Sequence, residues 1–293
     1  MIKYHIYTSI EEGENLWNTF SPKVELYDDW KFRFTYWNFT KPEICFVVGS
    51  ENNIPFGLLP LQWNNDGYYE FFGGDFMSYN ALFIKEPFEH LKNDFLNQIN
   101  KPIYLRWMRT PFSHPKLKTT EKSTFFLPVK NFTNLDDYFH NVLSPTRKKQ
   151  IRKEMRKILK QDTNITFNNF DDLDLLVQLN KKRFGDNSVF NKPYRYEFFK
   201  AILKIFDAQI ITVTIDGEKV GIGLRIIYNN TLYGINTGVK EGTANVGKFL
   251  YLKAIEFAIE NKLEKYDALE GAYGWKEEFG FLGRPQYHLD LRN

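Results

Sequence analysis

Short apolar runs joined by turns of Asn, Asp and Gly fill the first half of the chain. Three of them, over 43–50, 55–63 and 68–73, are separated by Asn52-Asn53 and by Asn64–Gly67. Asn and Gly suit the left-handed backbone of tight hairpins, so these runs predict three consecutive antiparallel strands. The other elements predicted in this half are a strand over 3–7, a helix over 10–20, a strand over 80–84, a helix over 87–97, and strands over 103–108 and 125–129.

The second half opens with helical periodicity and then repeats the strand pattern. Ser144 and Pro145 suit the N-cap and first position of a helix that runs to about Lys160. A strand over 232–238, a helix over 247–261 and a strand over 265–269 predict a parallel crossover. The remaining predicted elements are helices over 171–184, 194–206 and 275–279, and strands over 209–215, 219–228 and 286–291.

The two halves share a plan of strand, turn, strand, Asn-Asn turn and strand. Asn64 and Asn229 are 165 residues apart, and the same offset joins Gly73 to Gly238. A shared offset favours an internal duplication, although hairpins recruit Asn and Gly in any case. The pattern predicts an α/β (α+β) chain of two similar units, over 1–140 and 141–293, each a mixed, mostly antiparallel sheet flanked by helices.

Composition and charge narrow the class of protein. The 293 residues carry a net charge of +3, but residues 147–160 alone carry +7, so any electrostatic role is local. Cys45 is the single cysteine, which excludes an internal disulfide. The five histidines show no ligand spacing, and we expect no metal. Neither a secretory signal nor an apolar run of about 20 residues is present, so we expect a cytoplasmic protein.

The loop before helix 247–261 carries the first chemical signal. Its sequence, VKEGTANVGK, brings small residues and Lys248 to a helix N-terminus. Free backbone N–H groups and the helix dipole at such a terminus attract a pyrophosphate or another anion. Asn245, Val246 and Gly247 would then contact that anion. A plain tight turn explains the same residues equally well.

The stretch 232–281 contains two further motifs, Asp267-Ala-Leu-Glu270-Gly271 and Tyr273-Gly-Trp275-Lys276-Glu-Glu-Phe279-Gly280. With these motifs the stretch resembles the GNAT acyltransferases. More specifically, the chain is similar to the CelD/BcsL-type (cellulose-biosynthesis) acetyltransferases and to their relatives, the FemABX peptidoglycan aminoacyltransferases. Those families pair two GNAT-like halves, which agrees with the duplication. The loop lacks the Arg/Gln-x-x-Gly-x-Gly/Ala pattern that cradles coenzyme A, so the acyl donor stays open.

The resemblance implies roles for particular side chains. Lys276 would hold a donor phosphate or stabilise an oxyanion, and Glu270 would act as general base, although a surface lysine and a turn-capping carboxylate are the alternatives. Trp275 would join the loop residues at the donor. The segment around Asp75 and Tyr79 is similar to one in the CelD group and would line an acceptor cleft between the halves. Turn chemistry explains that pair nearly as well.

The basic helix has two interpretations. Its Lys and Arg residues, beginning with Arg147 and Lys148, form a solvated face or contact phosphates of coenzyme A, a lipid-linked precursor or tRNA. An Arg-rich helix precedes the second half in the similar families as well. Arg147 and Lys148 are therefore candidate substrate-binding residues.

The sequence predicts an acyltransferase. We expect transfer of an acyl group, acetyl above all, from acyl-CoA to an amine or hydroxyl of a sugar or cell-envelope precursor. The first alternative is a FemABX-like transferase that uses aminoacyl-tRNA to build peptidoglycan bridges. The second alternative is a binding module with a GNAT-like fold and no activity.

Overall fold

The computed structural model describes residues 1–271 and 274–292, apart from the side chain of Lys122. The chain forms two compact units. The N-terminal unit holds residues 1–123 and the C-terminal residues from Arg284 onward, and the C-terminal unit holds residues 124–283. Of the described helices, none is both long and apolar enough to cross a membrane.

The N-terminal unit is a mixed sheet with short helices. In sheet order its strands are β1, β2, β3, β4, β6 and β13, with β5 paired to β3. All pairs are antiparallel except β4 with β6. The elements are β1 (Ile2–Tyr7), α1 (Ile10–Phe20), α2 (Trp30–Thr40), β2 (Ile44–Glu51), β3 (Ile54–Trp63), β4 (Tyr69–Phe71), β5 (Phe83–Ile84), α3 (Lys92–Leu96), β6 (Ile103–Met108), the first part of β7 (Leu117–Pro128) and most of β13 (Leu282–Leu291).

The C-terminal unit has its own run of strands, also mixed in direction. The last residues of β7 pair with β12, and the order continues through β11, β10, β9 and β8. The pair β11–β12 is parallel and the others are antiparallel. The elements are α4 (Leu135–Val142), α5 (Pro145–Leu159), β8 (Thr163–Phe167), α6 (Leu173–Phe184), α7 (Tyr194–Ile205), β9 (Asp207–Ile215), β10 (Glu218–Tyr228), β11 (Thr231–Val239), α8 (Val246–Glu260), β12 (Lys265–Glu270) and α9 (Trp275–Glu278).

Two helices of this unit frame the candidate site. In α5, the Ser144 hydroxyl accepts a hydrogen bond from the Arg147 N–H at 3.3 Å, and Pro145 is the first helical residue. Among the four aliphatic side chains of α5, Ile151 and Ile158 are buried, Met155 is half-buried and Leu159 is exposed. Helix α8 is mostly apolar and packs beside the sheet because Val246, Phe249 and Leu250 join the same core as strands β9 and β10.

The strand plan predicted from the repeat is present in both units. Strands β2, β3 and β4 are followed by a parallel partner, β6, and strands β9, β10 and β11 are followed by a parallel partner, β12. The helix predicted from Ser144 and the parallel crossover are also confirmed.

Other predicted elements were wrong or missing. The strand predicted over 80–84 is reduced to β5, since Asn80 makes an isolated bridge to Met108 instead. The helix predicted over 87–97 begins as a 3₁₀ turn, Phe88–Leu91, and only its second half is α-helical. Helix α2 and strand β8 carry no amphipathic pattern strong enough to predict them from the sequence.

Candidate functional site

Strands β11 and β12 pair only at their beginning. Thr231, Leu232 and Tyr233 lie opposite Lys265, Tyr266 and Asp267, and the described register ends there. Beyond that point β11 continues to Val239, and its residues 234–237 are half-buried. A parallel pair that separates leaves backbone N–H and C=O groups without cross-strand partners. We call the gap between 234–237 and 268–270 the donor groove, after the acyl donor that the sequence resemblance implies.

A β-bulge in β11 marks the closed end of the donor groove. Leu224 lies opposite Asn236, whereas the next residue of β10, Arg225, lies opposite Gly234. Ile235 therefore has no opposite residue in β10. A bulge bends its strand and re-aims the local backbone, which explains why β11 leaves β12 at this position.

The N-terminus of α8 lies just beyond the open end of β11. Asn245 is the N-cap and has a left-handed φ of 66°, and no side-chain hydrogen bond caps the helix. The first helical bond runs from the Phe249 N–H to the Asn245 carbonyl at 2.9 Å. A Cβ atom on Gly247 would meet only a Val239 methyl at 3.6 Å, so the first turn is open on that side. An uncapped helix start attracts anions.

A pocket of about 500 Å³ lies against this helix start. Its lining includes Gly242, Asn245 and Val246 from the loop and helix, Lys157 and Gln161 from the end of the α5 segment, and Glu218. The Lys240 ammonium pairs with Glu218, and the Lys248 ammonium lies 3.5 Å from Glu154. Acidic side chains thus hold two of the cations near the loop, and Lys157 is exposed.

Lys276 lies buried at the end of β12, with 1% of its surface exposed. Its Nζ donates hydrogen bonds to the carbonyl oxygens of Ala268, Leu269 and Glu270 at 2.9, 3.2 and 2.6 Å. An ammonium has three N–H donors, and the three carbonyls match that number. These carbonyls hold Lys276 at the end of β12. Its role toward a donor phosphate or an oxyanion remains a prediction.

The three carbonyls belong to a second bulge. The β12–β7 register passes from Asp267 opposite Phe126 to Glu270 opposite Thr124, and Leu269 has a left-handed φ of 52°. The buried Asp267 carboxylate accepts the Leu269 N–H at 3.0 Å. Lys276 and Asp267 together hold a backbone conformation that a β-branched or bulky residue rarely adopts unaided.

Burial lowers the pKa of Lys276 from 10.5 to about 8. The negative charge of Asp267, followed by those of Glu270 and Glu277, opposes this fall. The ammonium also lies 5.1 Å from the ring centre of Phe125. The group consequently changes charge close to neutral pH, within a bulge that borders the donor groove.

The N-terminal unit contains an equivalent bulge that is held by different hydrogen bonds. Strand β6 passes from Leu105 opposite Leu289 to Met108 opposite Tyr287, and Trp107 has a φ of 60°. Here the Asn80 amide donates to the Arg106 carbonyl at 3.0 Å, and the Asn80 N–H donates to the Trp107 carbonyl at 2.9 Å. Holding the bulge is thus a structural need of each unit.

The other predicted residues of the C-terminal unit occupy two environments. Glu270 is half-buried at the rim of the donor groove. Trp275 is half-buried, lies on Tyr251 of α8 with ring centres 4.3 Å apart, and packs against the core. Its role at the donor remains a prediction. Arg147 pairs with Glu278 and lies 5.4 Å from the ring centre of Phe279. Lys148 is half-buried. Tyr273 of the recognised motif lies outside the described residues.

Asp75 and Tyr79 belong to the N-terminal unit. The Asp75 carboxylate accepts the Tyr36 hydroxyl at 3.3 Å in a 3₁₀ turn. Tyr79 is 2% exposed, its ring contacts that of Tyr27, and its carbonyl accepts a hydrogen bond from buried Arg33. Its side chain is therefore core material in this unit. The role of Asp75 and Tyr79 toward an acceptor remains a prediction.

Sequence reasoning missed the buried polar side chains of Arg225, Gln209 and Tyr266. The signal for the first two was a long polar side chain inside a largely apolar strand, in AQIITVTI and VGIGLRIIY. Polar residues in such strands are rarely buried without a partner.

A family model described as an acetyltransferase (GNAT) domain matches residues 145–277. This range contains the loop, α8, β12 and Lys276, and it covers less than half of the chain. No curated protein sequence matches the chain.

Solved structures of similar fold extend over both units. FemX is 10% identical with a TM-score of 0.59, covering 99% of this chain and 98% of FemX. L-PGS from Bacillus licheniformis is 9% identical with a TM-score of 0.59, covering 90% of this chain and 92% of that one. A tandem GNAT protein from the clavulanic acid biosynthesis pathway is 8% identical with a TM-score of 0.56, and each chain is covered to 99%. The chain therefore has the GNAT fold.

Proposed function

We propose that this protein is an acyltransferase of the CelD/BcsL type that moves an acyl group, acetyl above all, from acyl-CoA to an amine or hydroxyl. The acceptor is a sugar or a cell-envelope precursor. The observation that carries the proposal is the separation of β11 from β12 directly before the uncapped start of α8. The separated strands provide an extended polar edge, and the helix start that follows in the chain provides an anion-binding site. Both features lie in one unit.

Coenzyme A matches these two features in order. Its pantetheine arm carries amide groups that pair with an open strand edge as a peptide would. The backbone N–H groups of Val246, Gly247 and Lys248 belong to the first turn of α8, which has no capping side chain. They suit the diphosphate of coenzyme A. Lys157 lines the adjacent pocket and supplies positive charge for the remaining phosphate.

Transfer needs little from the side chains. The acceptor amine or hydroxyl attacks the thioester carbonyl, the tetrahedral intermediate collapses, and the carbon–sulfur bond breaks to release the thiolate. Glu270, at the rim of the groove, takes the proton of the nucleophile. Holding donor and acceptor together supplies much of the rate. Lys276 acts through the shape of the bulge that carries Glu270.

Titration calorimetry with acetyl-CoA tests this proposal. Wild-type protein should bind with a micromolar Kd, and Gly247→Trp, which fills the open side of the first turn, should lower affinity by at least about tenfold. Lys130→Met, at an exposed ion pair far along the sequence from the loop, is the control and should bind as wild type. Absence of binding by correctly folded wild-type protein would rule out acyl-CoA as donor.

The FemX-like alternative uses aminoacyl-tRNA, and the exposed face of α5 favours it. Lys149, Lys153, Arg156 and Lys157 are exposed and lie on one side of the helix at 3.6 residues per turn. In a binding assay, tRNA affinity should then fall steeply with salt, and Lys153→Glu with Arg156→Glu should flatten that slope. Salt-independent or undetectable tRNA binding would exclude this alternative.

A further inference from the structure

The connection between α6 and α7 exposes apolar and basic side chains together. Phe184, the last residue of α6, is 42% exposed, and Val189 in the connection is 38% exposed. The same segment carries four exposed cations, Lys181, Lys182, Arg183 and Lys192. Asp186 is its single carboxylate. We call residues 181–193 the basic connection. Exposed apolar side chains among charges of one sign are typical of an interaction surface.

Buried residues of the basic connection hold it in a defined shape. Ser188 is buried, and its hydroxyl donates to the side-chain oxygen of Asn180 at 2.7 Å. Phe190 is also buried, with its ring centre 5.2 Å from that of Phe199 on α7. Phe184 is therefore exposed on an ordered segment whose own core is already filled by another aromatic ring. A surface that is ordered before binding loses little conformational entropy when a partner arrives.

The basic connection is joined to one edge of the donor groove. The Asn180 amide donates to the side-chain oxygen of Asn236 at 3.2 Å, and Asn236 belongs to the 234–237 edge of β11. A Cβ atom on Gly238 would lie 3.0 Å from Cβ of Leu179, so α6 packs directly on β11. Phe184 follows Asn180 by about one helical turn. A partner on the basic connection would therefore lie close to this edge of the groove.

The chemistry of the basic connection fits an anionic lipid bilayer. The phosphates of anionic lipids attract Lys and Arg side chains near the bilayer surface. Exposed Phe and Val side chains leave water at the boundary between headgroups and acyl chains. The Arg183 guanidinium lies 5.4 Å from the ring centre of Phe184, so a cation and an apolar side chain share one position. A nucleic acid would attract the cations but would offer Val189 no apolar environment.

We propose that the basic connection docks this protein on the surface of anionic lipid bilayers. Phe184 and Val189 enter the headgroup boundary, and the neighbouring cations contact lipid phosphates. Docking of this kind is independent of the proposed acyl donor. Its consequence, that an acceptor embedded in the bilayer meets the edge of the donor groove, rests on the proposed function.

Co-sedimentation with vesicles, in the absence of any acyl donor, tests the docking surface. Wild-type protein should bind vesicles of phosphatidylcholine and phosphatidylglycerol in equal parts, and should bind vesicles of phosphatidylcholine alone at least about tenfold more weakly. Lys182→Gln combined with Arg183→Gln should lower affinity for the mixed vesicles by at least about tenfold. Phe184→Ser combined with Val189→Ser should lower it by at least about fivefold, because less apolar surface leaves water.

A matched pair of exposed cations in the N-terminal unit provides the control. Lys116→Gln combined with Lys118→Gln removes the same charge and should bind vesicles as wild type. All the substituted side chains are exposed, so every variant should keep the wild-type Tm.

Four outcomes would overturn or redirect the proposal. Absence of vesicle binding by wild-type protein, or an equal loss from both pairs of charge substitutions, would overturn it. Unchanged affinity of the Phe184 and Val189 variant would overturn it as well, because the contact would then be a general attraction between charges. Binding of RNA through the basic connection, in place of vesicles, would assign this surface to a nucleic acid. Vesicle binding by a protein that fails to bind acetyl-CoA in calorimetry would overturn only the proposed donor.

Discussion

Replacing Lys276 by methionine tests whether this buried cation holds the β12 bulge. Methionine fills most of the same space but donates no hydrogen bond, so the carbonyls of Ala268, Leu269 and Glu270 lose their shared donor. The first two belong to buried residues. A buried carbonyl left unpaired costs about 1–3 kcal/mol. Removal of the buried ammonium, whose lowered pKa shows that its burial is unfavourable, offsets part of that cost.

We therefore expect Lys276→Met to lower the free energy of unfolding of the C-terminal unit by about 3–4 kcal/mol at pH 7. Urea titrations followed by tryptophan fluorescence measure this value, since Trp275 is adjacent to the substituted residue. Lys130→Met is the matched control. Its ion pair with Glu264 is exposed, so the change should stay below about 1 kcal/mol.

If Lys276→Met lowers the free energy of unfolding by no more than Lys130→Met does, Lys276 does not hold the β12 bulge. That result would show that the carbonyls find other donors or that the lysine is not seated among them. The catalytic and phosphate-binding roles implied by the resemblance would then regain priority over a positioning role.

Three further predictions follow from the same contacts. Burial lowers the pKa of Lys276 from 10.5 to about 8, so the unfolded chain binds more protons than the folded chain between these pH values. The stability of wild-type protein should therefore rise with pH in this range, relative to Lys276→Met, by up to about 1.4 kcal/mol per pH unit in urea titrations. Parallel pH profiles of the two proteins would contradict the pKa shift. Glu270→Gln should lower kcat by about 10²–10⁴ with unchanged KM for acyl-CoA, and an unaltered kcat would remove the general base. Asn80→Ala should destabilise the N-terminal unit by about 2–4 kcal/mol, and hydrogen exchange at Arg106 and Trp107 that matches wild type would contradict its role at the bulge.

The repeat and the crossover followed from local chemistry in the sequence. Asn-Asn turns and their flanking apolar runs specify hairpins through backbone preference alone, and the helix start at Ser144 depends on one side chain and one proline. Such features need no distant partner. Helix α2 needs distant partners, because its aromatic residues face several directions and only tertiary packing selects the helical backbone.

The partners of Lys276 were beyond the reach of the sequence for a related reason. The motif around Trp275 and Lys276 indicates a functional segment. The local sequence does not show, however, that β12 bulges at Leu269 and directs three carbonyls toward the lysine. The bulge arises from register with β7, more than 140 residues earlier in the chain. The burial of Arg225 was missed similarly, since only the strand register places it opposite Gln209 inside the sheet.

Amide hydrogen exchange with and without acetyl-CoA tests the proposed donor groove most directly. Protection should appear at residues 234–237 of β11 and at 246–248 of α8, where an extended donor and its diphosphate would pair with the backbone. Bound acetyl-CoA that leaves both segments unprotected, or that protects only residues of the N-terminal unit, would contradict the account.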